Sequence, residues 1–253
     1  MQQISPAFPG LADIIRQSVS CGAVYPLSVA RQYQHGLIVS DSADSFLILH
    51  DCGFAFAVGS VSEHFLGEIY EMLLHPADLP SGRMLLFAEA DDTETFFRAK
   101  PGLTFSRRLF FSYPETMQPS EPVVCKPYEI RAMSAELLRS VKGRITPAFS
   151  WQSPETFQQN GMGFCAVCGD IPAGWAFSAA VSGNEIDIGV ETAAEHRRNG
   201  LAEACAAAMI QEILRRGKTP VWACAEQNAA SAALACKLGF VPAGKCTVIQ
   251  AVI

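Results

Sequence analysis

Apolar residues along this chain come in short runs whose period changes several times, and each change marks an element. Phe46–His50 and Phe54–Val58 are two apolar runs either side of Asp51-Cys52-Gly53, the pattern of a β-hairpin. Phe65, Leu66, Ile69, Met72 and Leu73 then recur at helical spacing, predicting a helix over Glu63–Leu74. His75-Pro76 ends it, because a residue before proline is pushed out of the α region. Met84–Ala88 reads as a buried strand, Thr93–Ala99 as a short helix and Thr104–Phe111 as another strand. No active-site pattern accompanies these elements, and Gly22, Gly36, Gly53 and Gly59 read as turn glycines.

The second half starts with helical material over Ala132–Lys142, then a Trp-containing loop, Ser150-Trp151. A short helix over Pro154–Asn160 has Ser153 as its cap. Three runs follow: Gly163–Cys168, Ile171–Val181 and Glu185–Glu191, separated by Gly169-Asp170 and Ser182-Gly183-Asn184. In the third, Ile186, Ile188 and Val190 alternate with Glu185, Asp187 and Gly189, so the three runs predict consecutive antiparallel strands. The order then changes. A loop over Thr192–Asn199 feeds a helix from Gly200 to Arg216, with Gly217 at the favoured position beyond its end. Val221–Ala225 is a strand, Asn228 caps a helix over Ala229–Leu238, and Lys245–Val252 is a final strand.

Between the halves, Tyr113–Pro127 is rich in proline and poor in apolar anchors, which is linker composition. Two α/β domains are therefore expected, at residues 1–118 and 125–253. Composition narrows the class: 49% hydrophobic and 17% charged residues suit a packed core rather than disorder. A net charge of -6 argues against a nucleic-acid or anionic-membrane partner. It suits a cationic amine, and still allows a local positive pocket for a small anion. The N-terminus lacks the basic-then-apolar pattern of a secretory signal, and no run has the length of a bilayer span. A cytoplasmic protein is expected, with its nine cysteines reduced. The sequence is compatible with a homodimer and does not fix the oligomeric state.

The segment that carries chemistry is Arg197-Arg198-Asn199-Gly200-Leu201-Ala202, between a strand and an amphipathic helix. A loop entering a helix presents unpaired amides, and the helix dipole adds about half a positive charge. Such a start can hold a pyrophosphate. Gly200 permits close backbone approach, Ala202 keeps the first turn open, and two arginines add charge. On these residues alone, an anion site and an ordinary helix start are both open readings.

The stretch resembles the R-x-x-G-x-A/G cofactor loop of the GCN5-related N-acetyltransferases, the GNAT superfamily. So do Asn228, Ser231 and Ala235-Cys236-Lys237-Leu238-Gly239-Phe240, which are similar to that family's second signature. The resemblance covers Gly163–Val252. Ile188–Thr192, Gly200–Ala202 and Pro220-Val221-Trp222 resemble a two-domain bacterial branch that includes the zwittermicin-resistance type. It implies a C-terminal GNAT fold, α/β of the α+β kind, with a mixed, mostly antiparallel central sheet flanked by helices. A divergent N-terminal α/β domain would precede it as a partner.

The resemblance also implies acetyl-CoA as cosubstrate, bound where the strands Glu185–Thr192 and Val221–Ala225 splay. Val190, Glu191 and Thr192 would pair with the pantetheine arm, and Arg197, Arg198, Asn199, Gly200, Leu201 and Ala202 would hold the pyrophosphate. Asn228 would reach the pantetheine or simply cap its helix. Acetyl transfer to a primary amine of a small molecule needs a neutral amine, hence a general base. Glu191 is the first candidate and Glu185 the second. Many members have a tyrosine where this chain has Ala235, so the acid for the leaving thiolate is left to Ser231, Cys236 or water. The alternative is a catalytically weak acyl-CoA-binding sensor or scaffold.

Three signals carry less. Cys165 and Cys168 have half a zinc-knuckle spacing, but no second pair completes four ligands, and i, i+3 positions on a strand face opposite ways. No metal is expected. Trp151 and Trp222 suit either an acceptor pocket or the core, and His196 either a 3′-phosphate contact or an exposed loop.

Overall fold

The computed structural model describes residues 1–89 and 91–252. In chain order the first elements are β1 (Gln2–Gln3), α1 (Leu11–Ser18), α2 (Val24–Ala30), β2 (Gly36–Ser42), β3 (Ser45–His50) and β4 (Phe54–Gly59). Then come α3 (Glu63–Leu74), β5 (Leu85–Ala88), α4 (Asp91–Arg98) and β6 (Leu103–Ser112). The second half contains β7 (Tyr128–Ala132), α5 (Ala135–Ser140), α6 (Pro154–Asn160), β8 (Gly163–Cys168), β9 (Ile171–Val181) and β10 (Glu185–Thr192). It ends with α7 (Leu201–Arg215), β11 (Thr219–Ala225), α8 (Ala229–Lys237) and β12 (Val241–Ala251).

These elements form two units. One comprises Met1–Phe110, Cys224–Gln227 and Ala243–Ile253, the other Phe111–Ala223 and Asn228–Pro242. The division near residue 110 lies close to the proline-rich segment, but the chain crosses between units again after Ala223. Thr247, Val248 and Ile249 of β12 pair antiparallel with Ala88, Phe87 and Leu86 of β5, so the last strand completes the first unit.

In the first unit β2, β3 and β4 form an antiparallel meander, and β5 returns parallel to β4 through Phe54↔Leu85, Ala55↔Leu86 and Phe56↔Phe87. The parallel return requires a crossover, and α3 supplies it. Its buried face, Phe65, Leu66, Ile69 and Leu73, packs into a core with Leu47, Leu49, Leu86, Phe97 and Ile249.

The second unit repeats that order. Its sheet runs β11-β10-β9-β8-β7. β8, β9 and β10 are consecutive antiparallel strands, and α7 is the crossover to β11, which lies parallel to β10. α7 is buried along Ala204–Ile210, where small residues let the helix lie close to the sheet. The Cys205 thiol sits 3.6 Å from the carbonyl of Gly174 on β9. A Cβ at Gly174 would fall 2.9 Å from Leu201 Cβ. Gly174→Ala therefore pushes the start of α7 off the sheet. A loss of about 1–3 kcal/mol is expected from this overpacking, read as a lowered urea midpoint. An unchanged midpoint would show that the helix can shift without cost.

Five elements escaped the sequence pattern: β1, α1, α2, β2 and β7. Part of the helix expected over Ala132–Lys142 is strand, since Ala132 closes β7 and α5 spans Ala135–Ser140. Ser134 caps α5 by accepting from the Leu137 amide at 3.2 Å. α6 matches its expected bounds, and Ser153 and Thr156 make a reciprocal capping box. Among the described residues no helix is long and apolar enough to cross a membrane.

Candidate active site

β10 and β11 meet at one end only. Their pairing runs Glu185↔Thr219, Ile186↔Pro220 and Asp187↔Val221, and among the described residues it stops there. At the same point the β10–β9 register shifts between Asp187 and Ile188, a bulge that bends the strand. Beyond it Gly189, Val190, Glu191 and Thr192 stay paired to Phe177, Ala176, Trp175 and Gly174 of β9. In an antiparallel ladder every second residue turns its N–H and C=O away from its partner. Past the bulge those groups face the opening between β10 and β11, and all four residues there are half-buried. This is the splay that the resemblance implies.

At the open end the chain leaves β10, makes a one-turn 3₁₀ helix over Ala194–His196 and enters α7. Arg198 has φ 68 and Gly200 φ 74, both left-handed, so the loop twists sharply before the helix begins. Gly200 is the N-cap and offers no side chain to the first turn. The first backbone bond into α7 is from the Ala204 amide to the Gly200 carbonyl at 3.0 Å. Leu201, Ala202 and Glu203 thus head the helix with amides that have no intrahelical acceptor. Arg197 and Arg198 are exposed and, among the described residues, in no ion pair.

The corresponding helix of the first unit shows what closing such a start looks like. α3 also follows the strand that precedes a parallel return. Its cap, Ser62, accepts from the Phe65 amide at 3.1 Å, and Glu63 adds negative charge to the first turn. There one of the first-turn donors is taken by the cap and the added charge is wrong for an anion. At α7 the donors are open and Arg197 and Arg198 precede them, while the first-turn Glu203 is paired with Lys237 at 2.6 Å; the two helix starts occupy equivalent places in the same fold order.

Glu191 lies on the splayed part of β10. Its Oε2 accepts from the Ile145 amide at 2.6 Å, while the Ile145 carbonyl accepts from Trp175 Nε1 at 2.7 Å. A Cβ on Gly143 would come within 2.5 Å of Glu191 Oε2, so glycine lets the loop lie against the carboxylate. Half of this carboxylate therefore anchors the 143–145 loop beside the splay, and neither loop nor bond was legible in the sequence.

Glu185 begins β10 at its closed end, paired with Thr219. Burial raises its carboxyl above the usual carboxylate range. Six residues of strand separate it from Glu191, about 20 Å at the usual rise. It cannot act on a carbonyl held in the open part of the splay, and the second candidate base is set aside on that ground.

Asn228 caps α8, its Oδ1 accepting from the Ser231 amide at 3.1 Å. Ser231 Oγ accepts from Trp222 Nε1 at 3.0 Å, which leaves the hydroxyl proton free to be donated. Trp222 and Trp151 are both core residues, 2% and 5% exposed, and Trp151 Nε1 donates to the Ser178 carbonyl. Ala235 is fully buried and Cys236 exposed. Cys165 is buried in the sheet, which pushes its thiol up to about 12, and Cys168 is half-buried. Among the described residues no group of three or more His, Cys, Asp or Glu side chains could hold a metal.

Comparison with known proteins gives this geometry its class. The pattern of the GNAT acetyltransferase family matches residues 28–249. The chain belongs to that family, and acyl transfer is the family's chemistry. An uncharacterized N-acetyltransferase of Bacillus subtilis (strain 168), YdfB, is 26% identical over 204 residues, covering 78% of this chain and 77% of its own. A GCN5-related N-acetyltransferase-like protein from Streptococcus suis 89/1591 shares the fold with a TM-score of 0.71 at 19% identity, over 96% of this chain and 100% of its own. A tandem GNAT protein from the clavulanic acid biosynthesis pathway does so with a TM-score of 0.59 at 12% identity, over 98% and 97%.

Proposed function

We propose that this protein transfers an acetyl group from acetyl-CoA directly to a primary amine of a small molecule. The open start of α7, preceded by Arg197 and Arg198 and with its first-turn Glu203 neutralised by Lys237, set against the self-capped start of α3, is the observation that carries this reading. A pyrophosphate needs several convergent N–H donors with positive charge nearby. The amides from Arg198 to Ala202 would supply the donors, with Arg197 and Arg198 adding charge. Val190, Glu191 and Thr192 would pair with the pantetheine arm as an added strand would, and Asn228 keeps its amide nitrogen for the same arm.

The cosubstrate would bring the activated acyl group as a thioester. The chain's part is to hold the thioester carbonyl against a backbone N–H of the splayed β10, where growing negative charge on oxygen is stabilised. Glu191, directly or through water, would take a proton from the incoming ammonium so that the neutral nitrogen can attack. As the C–N bond forms and the C–S bond breaks, the attacking nitrogen sheds a second proton and the departing sulfur gains one, and the Ser231 hydroxyl or water would relay it between them. A net charge of -6 suits a cationic amine as the second substrate better than nucleic acid or a membrane surface.

Glu191→Gln keeps an oxygen for the Ile145 amide while removing the charge. Turnover is expected to fall about 10²–10⁴-fold, the usual range for a general base, with acetyl-CoA affinity unchanged. Unchanged turnover would take Glu191 out of that role. Ala235, in place of the family's frequent tyrosine, favours a second reading in which the chain binds acyl-CoA as a sensor and transfers slowly. Calorimetric titration with acetyl-CoA, followed by thiol release across a panel of amines, separates the two. Binding with amine-stimulated release supports the enzyme. Binding with only slow, unstimulated hydrolysis supports the sensor, and no binding removes both.

A further inference from the structure

The loop that feeds α7 is braced from the far edge of its sheet. Tyr128, on the edge strand β7, places its hydroxyl 3.1 Å from His196 Nδ1, with the two rings edge to face at 5.7 Å. Asn199 Nδ2 lies 3.3 Å from the same hydroxyl, 3.1 Å from the His196 carbonyl and 3.4 Å from the Arg197 carbonyl. Two of those partners are carbonyl oxygens, which only accept, so the side-chain atom facing them is the amide nitrogen. Its N–H groups donate, and one of them donates to the Tyr128 oxygen. The phenol oxygen keeps its own proton, and donating it to His196 Nδ1 requires the lone pair there. In a neutral imidazole that arrangement places the ring proton on Nε2.

We infer that Tyr128 is a positioning residue of this site: it holds His196 as the Nε2–H tautomer and locks the loop that presents the amides from Arg198 onward. This rests on the proposed acetyl-CoA reading. The brace ties together the two residues flanking the arginines, His196 and Asn199, so the left-handed backbone at Arg198 is fixed before any ligand arrives. With Nδ1 engaged by Tyr128, the Nε2–H of His196 would add a donor for a phosphate oxygen. Preorganisation of this kind lowers the ordering cost of binding.

The tautomer is read directly from the wild-type protein by long-range ¹H–¹⁵N NMR with labelled histidine. The expected spectrum shows His196 Nδ1 as an unprotonated acceptor and Nε2 protonated, with Tyr128→Phe converting this to a tautomer mixture. A wild-type His196 protonated on Nδ1 would overturn the inference. In acetyl-CoA titrations Tyr128→Phe and His196→Ala are each expected to weaken binding roughly tenfold, the worth of one charge-assisted hydrogen bond. His196→Gln, which keeps a donor at the ε position, should bind close to wild type. Wild-type affinity in Tyr128→Phe would also overturn it. A wild type that does not bind acetyl-CoA would remove the proposed function, and the tautomer spectrum would then decide the brace alone.

Discussion

Gly200→Asp is expected to abolish acetyl-CoA binding while leaving the protein folded. The position has φ 74, and a Cβ there would meet nothing within 4 Å, so the substitution has room. Aspartate is one of the few residues that visits left-handed backbone, and the conformational cost is on the order of 1 kcal/mol. Ser62 caps α3 from extended backbone, φ -81 and ψ 157, whereas position 200 is left-handed, so an aspartate there gains no cap. Its carboxylate instead brings negative charge into the loop where a pyrophosphate would lie and denies that anion the neighbouring amides. Losing two charge-assisted hydrogen bonds at about 1.5–3 kcal/mol each, with like-charge repulsion added, weakens binding by at least about a hundredfold. Gly200→Ala carries the same backbone strain without the carboxylate and should bind only a few times less tightly. Calorimetric titration beside a thermal melt checks both, and micromolar binding by a folded Gly200→Asp protein would take the pyrophosphate away from this loop.

The second large effect is acid sensitivity set by one histidine. His50 ends β3 with no exposure; its Nδ1 accepts from the Cys52 amide at 3.0 Å, and Tyr25 meets the ring edge-on. Nε2 is buried without a hydrogen-bond partner. Burial, with a smaller contribution from His35, pushes its pKa from 6.5 down to about 3. Because the folded value is depressed, the unfolded chain binds more protons than the native one throughout that window. Stability is therefore full above pH 6.5 and falls by about 1.4 kcal/mol per unit as pH drops towards 3. Glu185, whose carboxyl burial raises, works in the opposite sense just above its ordinary value of 4.5. The comparison is thus between proteins: His50→Asn keeps an acceptor for the Cys52 amide but does not titrate. Urea denaturation between pH 6.5 and 4.5 should show about 2 kcal/mol more loss in the wild type than in this variant. Parallel slopes would mean that His50 is protonated at little cost.

Where the pattern of the chain was decisive, one face of an element was apolar and its ends were chemically marked. α3 has Ser62 before it and His75-Pro76 after it, α6 has its capping box, and the three strands β8 to β10 have glycine turns between them. The elements that escaped lack one of those marks. β7 alternates Tyr128, Ile130 and Ala132 with Glu129 and Arg131, yet the linker reading ran up to Pro127 and the helical reading began at Ala132, which left residues 128–131 without an element. Proline just before a strand does not prevent it, so composition misled there. α2 carries Pro26, which is harmless in a first turn but hides a short helix. The candidate anion loop was visible because its glycine and arginines lie together. The contacts around it were not, since Tyr128 reaches His196 and Asn199 from a distant strand, and Ile145 and Trp175 reach Glu191 from elsewhere again. Nothing local in Thr247–Ile249 says that these residues pair with β5 rather than within their own half.

That last pairing has a consequence for how the protein is made. The residues of β5 leave the ribosome long before Thr247 is synthesised. At about 5–20 residues per second the delay is on the order of ten seconds. Through that interval the nascent first unit lacks its closing strand, and an uncapped apolar edge of this kind invites pairing with other chains. Finishing the N-terminal half is thus a post-translational event, and premature termination anywhere in the second half damages the first as well.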